Sequence, residues 1–256
     1  MSKFVKVEEL DAGVVKVTVD RPDALNALNA DVLSGLLAAA NALNERHDVR
    51  VVVFTGEGRA FAAGADVRAM SEMSEAEAAV YSKLGHDAFT AISSLPMPTI
   101  AAVNGFSLGG GLEYALSCDL IYASTKAKLG FPEVGLGLIP GFGGTQRLGR
   151  RVGHQRAREL VFTGEIIRAE EAHRIGLALR LFEPDALMPG VLEIAASIAA
   201  KGPEAVRAAK EVMAAGHDSP FDDALAIERE TFSCLFGSDE ANEGMSAFLE
   251  KRSPSF

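Results

Sequence analysis

Glu113 and Glu133 stand in settings unusual for carboxylates. Glu113 follows the small-residue run SLGGGL at 107–112, and Glu133 sits within LGFPEVGLG at 129–137. Burial of Glu133 among Phe131, Pro132, Val134 and Leu136 would raise its pKa and let it hold a proton near neutral pH. Two carboxyl groups converging on one substrate can divide the work, one accepting a proton from water and the other delivering one to carbon. In a chain with 35 acidic residues the same two glutamates are equally compatible with plain surface solvation. Only their Gly-rich and apolar neighbours argue for chemistry.

Two turns of small residues supply the other half of the pattern. AAGAD at 62–66 and SLGGGLEYALSCDL at 107–120 each read as a turn opening into a helix. A backbone without bulky side chains can approach a bound group and aim N–H donors at it. Two such turns brought together could hold one carbonyl oxygen as negative charge develops on it, with Glu113 just beyond the second. That is an oxyanion hole beside a carboxylate, suited to chemistry next to a polarised carbonyl.

Other chemistries fit poorly. GLGLIPGFGG at 135–144 lacks both the G-x-G-x-x-G spacing after a strand and the Lys-Ser/Thr of a phosphate loop. His47, His86, His154, His173 and His217 have no ligand spacing, so no metal is expected. Ser107 is not in a Gly-x-Ser-x-Gly elbow. A net charge of −10 argues against nucleic acid. Arg147, Arg150, Arg151, Arg156 and Arg158 read as a solvated helix face, with holding an anionic ligand as the other use. Cys118 and Cys234 read as buried free thiols. MSKFVKVEEL does not resemble a signal peptide, and no apolar run reaches the ~18 residues of a membrane span, so a cytoplasmic protein is expected.

The elements that must position these residues are legible as periodicities. The first residues alternate as a strand does, and VVKVTVD (14–20) is a strand ended by Arg21-Pro22. Residues 29–47 have a helical apolar face capped by Asn29 or Asp31. RVVVFT (50–55) and TIAAVNG (99–105) are continuous apolar strands, and DLIYAS (119–124) is a third, with a polar helix over 74–95 between the first two. TIAAVNG runs directly into the LGGG turn. The middle of the chain thus repeats strand, turn and helix, which predicts an α/β class with largely parallel strands and ligands at strand carboxyl ends. From Gly141 onward the pattern is almost wholly helical, apart from ALRLF at 178–182. Helices are expected over 184–200, 203–215, 220–235 and 238–250, with Pro203 and Pro220 at helix starts. The last ~55 residues exceed what the core needs as cover and read as a packing or oligomerisation appendage.

RPDALNAL (21–28), GRAFAAGADV (58–67), IAAVNGFSLGGGLEYALSCDLIYA (100–123), GFPEVGLGLIPGFGGTQRLGRRVG (130–153) and NEGMSAFLEKR (242–252) together resemble the enoyl-CoA hydratase/isomerase (crotonase) superfamily. The resemblance spans essentially the whole chain. It implies an α/β fold with a crotonase-like β/α spiral core over 1–200 and a C-terminal helical trimerisation region over 201–256. It also implies a homotrimer or dimer of trimers, and a substrate carried as a coenzyme A thioester with no separate cofactor. By the same resemblance, Ala65 and Gly110 N–H form the oxyanion hole, Glu113 activates water and Glu133 protonates the α-carbon. Gly141, at the start of a helix, packs its backbone against the reacting water. Ala24, Ala63, Asp66, Val67 and Arg68 fall on the coenzyme-binding wall, and Pro132 lies beside Glu133 in the substrate site. Phe232 and Lys251 fall where the C-terminal region approaches coenzyme A, from the same or a neighbouring subunit. Two positions depart from the pattern: Asp23 replaces a frequent basic residue, and Phe131 a frequent Gln, which should dry the pocket.

With both glutamates present, the implied reaction is hydration of a trans-2-enoyl-CoA to the 3-hydroxyacyl-CoA, closest to short-chain hydratases. The alternatives are a Δ3-Δ2-enoyl-CoA isomerase or another acyl-CoA lyase or dehydratase of this fold. A non-catalytic acyl-CoA or RNA-binding relative is a third, against which both glutamates and the acidic charge weigh. A tail of about four to six carbons is expected, with pocket depth set by residues 70–95.

Overall fold

The computed structural model describes residues 3–256, and their strands divide between two sheets. β1 (Val5–Glu9) and β2 (Val14–Val19) pair antiparallel, and α1 (Ala30–Asn44) follows. The chain then runs through successive strand pairs: β3 (Val51–Gly56) with β4 (Ala60–Ala62), β5 (Thr99–Val103) with β6 (Phe106–Leu108), and β7 (Leu120–Ser124) with β8 (Lys128–Gly130). The first link carries α2 (Val67–Met70) and α3 (Glu75–Ser93), and the second carries α4 (Gly110–Leu116). After β8 come α5 (Gly144–Val152), α6 (His154–Thr163), β9 (Ile166–Arg168), α7 (Ala169–Arg174) and β10 (Arg180–Phe182). The first strand of each pair joins a sheet ordered β1-β2-β3-β5-β7-β10, and the second joins β4-β6-β8-β9. All pairings but β1 with β2 and β8 with β9 are parallel. Each turn of the chain therefore adds one strand to each sheet, which makes the core a spiral.

The passage between sheets is where sequence and structure part. TIAAVNG is not one strand entering the LGGG turn, because β5 stops at Val103 and β6 starts afresh at Phe106 in the other sheet. Asn104 makes the corner by donating from Nδ2 to Gly56 O at 2.9 Å and Gly58 O at 2.8 Å. Gly105 permits it, since a Cβ there would lie 2.0 Å from Arg59 O. β4, β6 and β8 are three residues each, too short to show a period of two.

The fully buried β3 has cover on both faces. Val51 and Val53 pack with Ile100, Ala102 and Tyr122 under α8 (Leu187–Ala199), through Leu187, Val191 and Ala195. Val52, Phe54, Ala101 and Val103 enter the main core with α1 and α3. Asn29 caps α1 by accepting from Val32 N, and Ser74 with Glu77 forms a capping box on α3. Such caps contribute about 1 kcal/mol each and explain why both helix starts were readable.

α9 (Pro203–His217), α10 (Phe221–Leu235) and α11 (Asp239–Glu250) lie close to their expected bounds. α9 is tied to the core. Arg207 donates to His47 O and Val49 O, and Lys210 Nζ reaches Met97 O at 3.0 Å and Asp119 Oδ2 at 2.7 Å. Phe221, Leu225, Phe232, Phe236, Phe248 and Leu249, on α10 and α11 and the turn between them, are exposed. Among the described residues no helix is long and apolar enough to cross a membrane.

Three local expectations need correction. Cys118 is buried but Cys234 is exposed, because α10 has no layer packed outside it. The arginine run is not simply solvated: Arg151 donates to Cys118 O and Asp119 O, and half-buried Arg147 reaches Phe89 O, so these residues fasten α5 to the core. β9 interrupts the helical stretch after Gly141, because Leu129 of β8 offers it a register partner in Ile167.

Candidate active site

The second turn is built by glycine. Gly109, with φ 49°, ends β6 and caps α4, and Gly111 presses the helix onto β4, where a Cβ would stand 1.8 Å from Ala62 O. No larger residue allows that approach, and it carries the LGGG turn to the AAGAD turn. Glu113, in the first turn of α4, is only 1% exposed. Its Oε1 accepts from Phe142 N and Gly144 N, both at 2.7 Å, and among the described residues no donor reaches Oε2. Burial pushes the carboxyl up to about 7, with the charge of Glu133 adding to the rise, while the two N–H bonds and Arg147 oppose it. The side chain is thus poised to change charge near neutral pH, with one oxygen fixed and one open.

Glu133 arrives from a 3-10 turn over Pro132–Leu136. It is half-buried, its Oε2 has no hydrogen-bond partner, and its Oε1 would be 2.5 Å from a Cβ on Gly109. Desolvation pushes its pKa up as well. A backbone hydrogen bond from Glu133 itself opposes the rise, but burial outweighs it and favours the protonated state.

The donors follow from backbone pairing. Leu28 makes a parallel bridge across Ala65, its N–H going to Gly64 O at 2.8 Å and its carbonyl taking Asp66 N–H at 3.0 Å. Leu28 thereby uses the groups on either side of Ala65, whose own N–H faces the opposite way and meets no acceptor among the described residues. Gly110 is the first residue of α4, so its N–H has no acceptor within the helix. Ala65, Gly110, Glu113 and Glu133 line one cavity of about 520 Å³, together with Val67 and Gly141. Four groups singled out for chemistry meet in one place.

Other predicted residues sit elsewhere. Ala24 and Ala63 do not line the cavity, and Ala63 N donates to the carbonyl of Leu25, the residue after Ala24. Asp66 caps α2 and pairs with Arg21 at 2.8 Å, and Arg68 points outward on α2. Pro132 opens the turn that carries Glu133 without lining the cavity. Phe131 is buried under Gly144, so it dries the wall behind Glu113 rather than the cavity itself. Gly141 does not start a helix; α5 begins at Gly144, because the N–H groups of Phe142 and Gly144 are turned onto Glu113. Phe232 and Lys251 are not brought to the cavity within this chain: Phe232 lines a separate apolar cleft with Phe236 and Phe256, and Lys251 ends α11. Met70, Met73, Tyr81 and Ser82 do line it, within the 70–95 segment expected to set its depth. Sequence reasoning missed Phe142, Gly144, Tyr81 and Ser82 as site residues. GFGG after an apolar loop was the available signal for the first two.

A spiral of strand pairs offering two free backbone donors and two desolvated carboxyls to one cavity defines the crotonase class of fold. Residues 9–256 match the enoyl-CoA hydratase/isomerase family, and the chain belongs to it. It is 45% identical over 239 residues to a crotonyl-CoA hydratase of Syntrophomonas wolfei, covering 93% of this chain and 92% of that one. A short-chain-enoyl-CoA hydratase of Clostridium acetobutylicum is 45% identical, with 95% and 94% covered. The crystal structure of an enoyl-CoA hydratase from Bacillus anthracis superposes with a TM-score of 0.97, at 37% identity and 99% coverage of both chains.

Proposed function

We propose that this chain is an enoyl-CoA hydratase, adding water reversibly and syn across the 2,3-double bond of a trans-2-enoyl-CoA. The observation that carries this reading is the meeting of Glu113 and Glu133 at the cavity onto which Ala65 and Gly110 open. The thioester oxygen accepts from the Ala65 and Gly110 N–H groups, each expected to contribute roughly 3–4 kcal/mol as enolate charge builds. Glu113, held at Oε1, takes a proton from a water at Oε2 as that water's oxygen bonds to C3. The π electrons of the double bond move into the thioester, and C2 then takes the proton of Glu133. Proton exchange between the two carboxyls restores both.

Glu113→Gln and Glu133→Gln should each slow crotonyl-CoA hydration about 10²–10⁴-fold with the fold intact, read as loss of enoyl-thioester absorbance. Near-normal turnover in either variant removes the mechanism. Conversion of a 3-enoyl-CoA without hydration would favour the isomerase instead.

Coenzyme A enters as part of the substrate, and the chemistry needs no further cofactor or metal. The relatives' names favour a short acyl tail. The subunits assemble as a homotrimer or a dimer of trimers, a reading supported by the exposed phenylalanines of α10 and α11. In that assembly Phe232 and Lys251 approach the coenzyme of a neighbouring subunit, while Ala24, Ala63, Asp66, Val67 and Arg68 flank the coenzyme from this chain. Free thiols at Cys118 and Cys234 support a reducing, cytoplasmic setting.

A further inference from the structure

One helix grips both halves of the site through neighbouring side chains. On α3, Ser82 Oγ donates to Gly141 O at 2.6 Å, and Tyr81 OH donates to Leu28 O. Gly141 O and Phe142 N–H belong to a single peptide group, and that N–H donates to Glu113 Oε1 at 2.7 Å. A trans peptide aims its carbonyl and its N–H in opposite directions, so this group is held between Ser82 at one end and Glu113 at the other. A donor on the carbonyl polarises the group and strengthens the bond made by its N–H.

The other half of the site follows the same logic. The Gly64–Ala65 peptide is anchored at Gly64 O by Leu28 N–H, which leaves Ala65 N–H presented to the cavity. Leu28 is itself fixed through its carbonyl, which accepts from Asp66 N–H and from Tyr81 OH. Tyr81 is 8% exposed, and burial pushes its phenol above the usual range, so it stays a donor. Its ring also rests edge-on against Phe142, 5.2 Å between centroids. Consecutive residues on a helix point about 100° apart, which lets this pair straddle the seam between the two turns.

We propose that Tyr81 and Ser82 are positioning residues for the reaction. Tyr81 acts through Leu28 on the Ala65 N–H, and Ser82 acts through the Gly141–Phe142 peptide on Glu113. This rests on the hydratase reading above.

The test uses the 256-residue chain with Tyr81→Phe, Ser82→Ala and, as rescue, Ser82→Thr. Tyr81→Phe keeps the ring and removes one donor, so kcat for crotonyl-CoA should fall about tenfold with KM within about twofold. The infrared carbonyl band of the bound thioester should move back toward its frequency in water. Ser82→Ala should shift the acid limb of kcat upward by about half a pH unit, because weaker N–H bonds favour the protonated Glu113 carboxyl. Ser82→Thr should restore it. Wild-type kcat, carbonyl band and pH profile in both variants, or a lowered melting temperature with those readouts unchanged, would overturn the proposal. If Tyr81→Phe does not fold, 3-fluorotyrosine at position 81 keeps the shape and strengthens the donor, and a carbonyl band that fails to move overturns the Tyr81 arm. A wild-type chain that hydrates no enoyl-CoA defeats the hydratase reading instead, and the 13C carboxyl titration of Glu113 in Ser82→Ala still decides the Ser82 arm.

Discussion

The carboxyl of Glu133 lies against the α-carbon of Gly109, so close that a methyl group there would stand 2.5 Å from Glu133 Oε1. Gly109 also holds a φ of 49° and directly precedes Gly110. One residue without a side chain therefore turns the backbone toward a donor and makes room for the acid.

Gly109→Ala should cost both stability and rate. At φ 49° and ψ −125° the backbone of Gly109 lies in a region essentially reserved for glycine, so alanine there costs about 1–3 kcal/mol in strain, and displacement of Glu133 by about an ångström should lower kcat about 100-fold. Gly176→Ala is the control, because Gly176 has φ 78° and nothing within 4 Å of its Cβ position. It should melt earlier and hydrate crotonyl-CoA normally. Calorimetry and initial rates separate the two effects.

Glu113 should make the folded chain less stable as pH rises. Its folded pKa is about 7 against 4.5 for the unfolded group, so the native state binds more protons between those values. Stability therefore falls from pH 4.5 to 7 by up to about 3 kcal/mol from this group. Glu113→Gln should remove that slope and be the more stable protein at pH 8, in urea denaturation at both ends of the range.

The same titration should govern rate in the opposite sense. Glu113 must be ionised to take a proton from water, so kcat for hydration should rise with pH through about 7. Glu133 must hold a proton to deliver it, desolvation pushes its pKa in that direction, and in the proposed mechanism loss of that proton ends turnover on the alkaline side. A bell-shaped profile is expected, and Glu133→Gln should lose the alkaline limb in its residual activity.

Phe248, at 83% exposure, is the side chain on α11 most in need of cover. Light scattering should give a mass of three or six chains, and Phe248→Asp should shift it downward. Burying such a ring is worth roughly 1.5–3 kcal/mol per copy, enough to change the association constant by tenfold or more.

The two turns, and Glu113 on the helix after the second, were readable because each depends on a short run of residue types, whereas singling out Ala65 and Gly110 within them rests on the family resemblance. Small residues make a turn, and a helix begins after it. The starts of α1 and α9 were readable for the same reason, through Asn29 and Pro203. The strands of the second sheet were not. Ala60–Ala62, Phe106–Leu108 and Lys128–Gly130 carry too few residues for a pattern, and they are strands because each has a parallel neighbour supplied from elsewhere in the chain. The exposure of Cys234 and the fastening of Arg151 to Cys118 O are likewise properties of neighbours, not of local composition.

The sequence by itself determined the local pieces: two glycine-rich turns, two acids in apolar surroundings, and the strand-turn-helix repeat that carries them. Only the tertiary structure decided that Ala65, Gly110, Glu113 and Glu133 open onto one cavity, and that Phe142, Gly144, Tyr81 and Ser82 serve it. Turns and helix caps are decided by neighbours along the chain. Convergence of groups tens of residues apart is decided by sheet pairing and by the close approaches that Gly105, Gly109 and Gly111 allow.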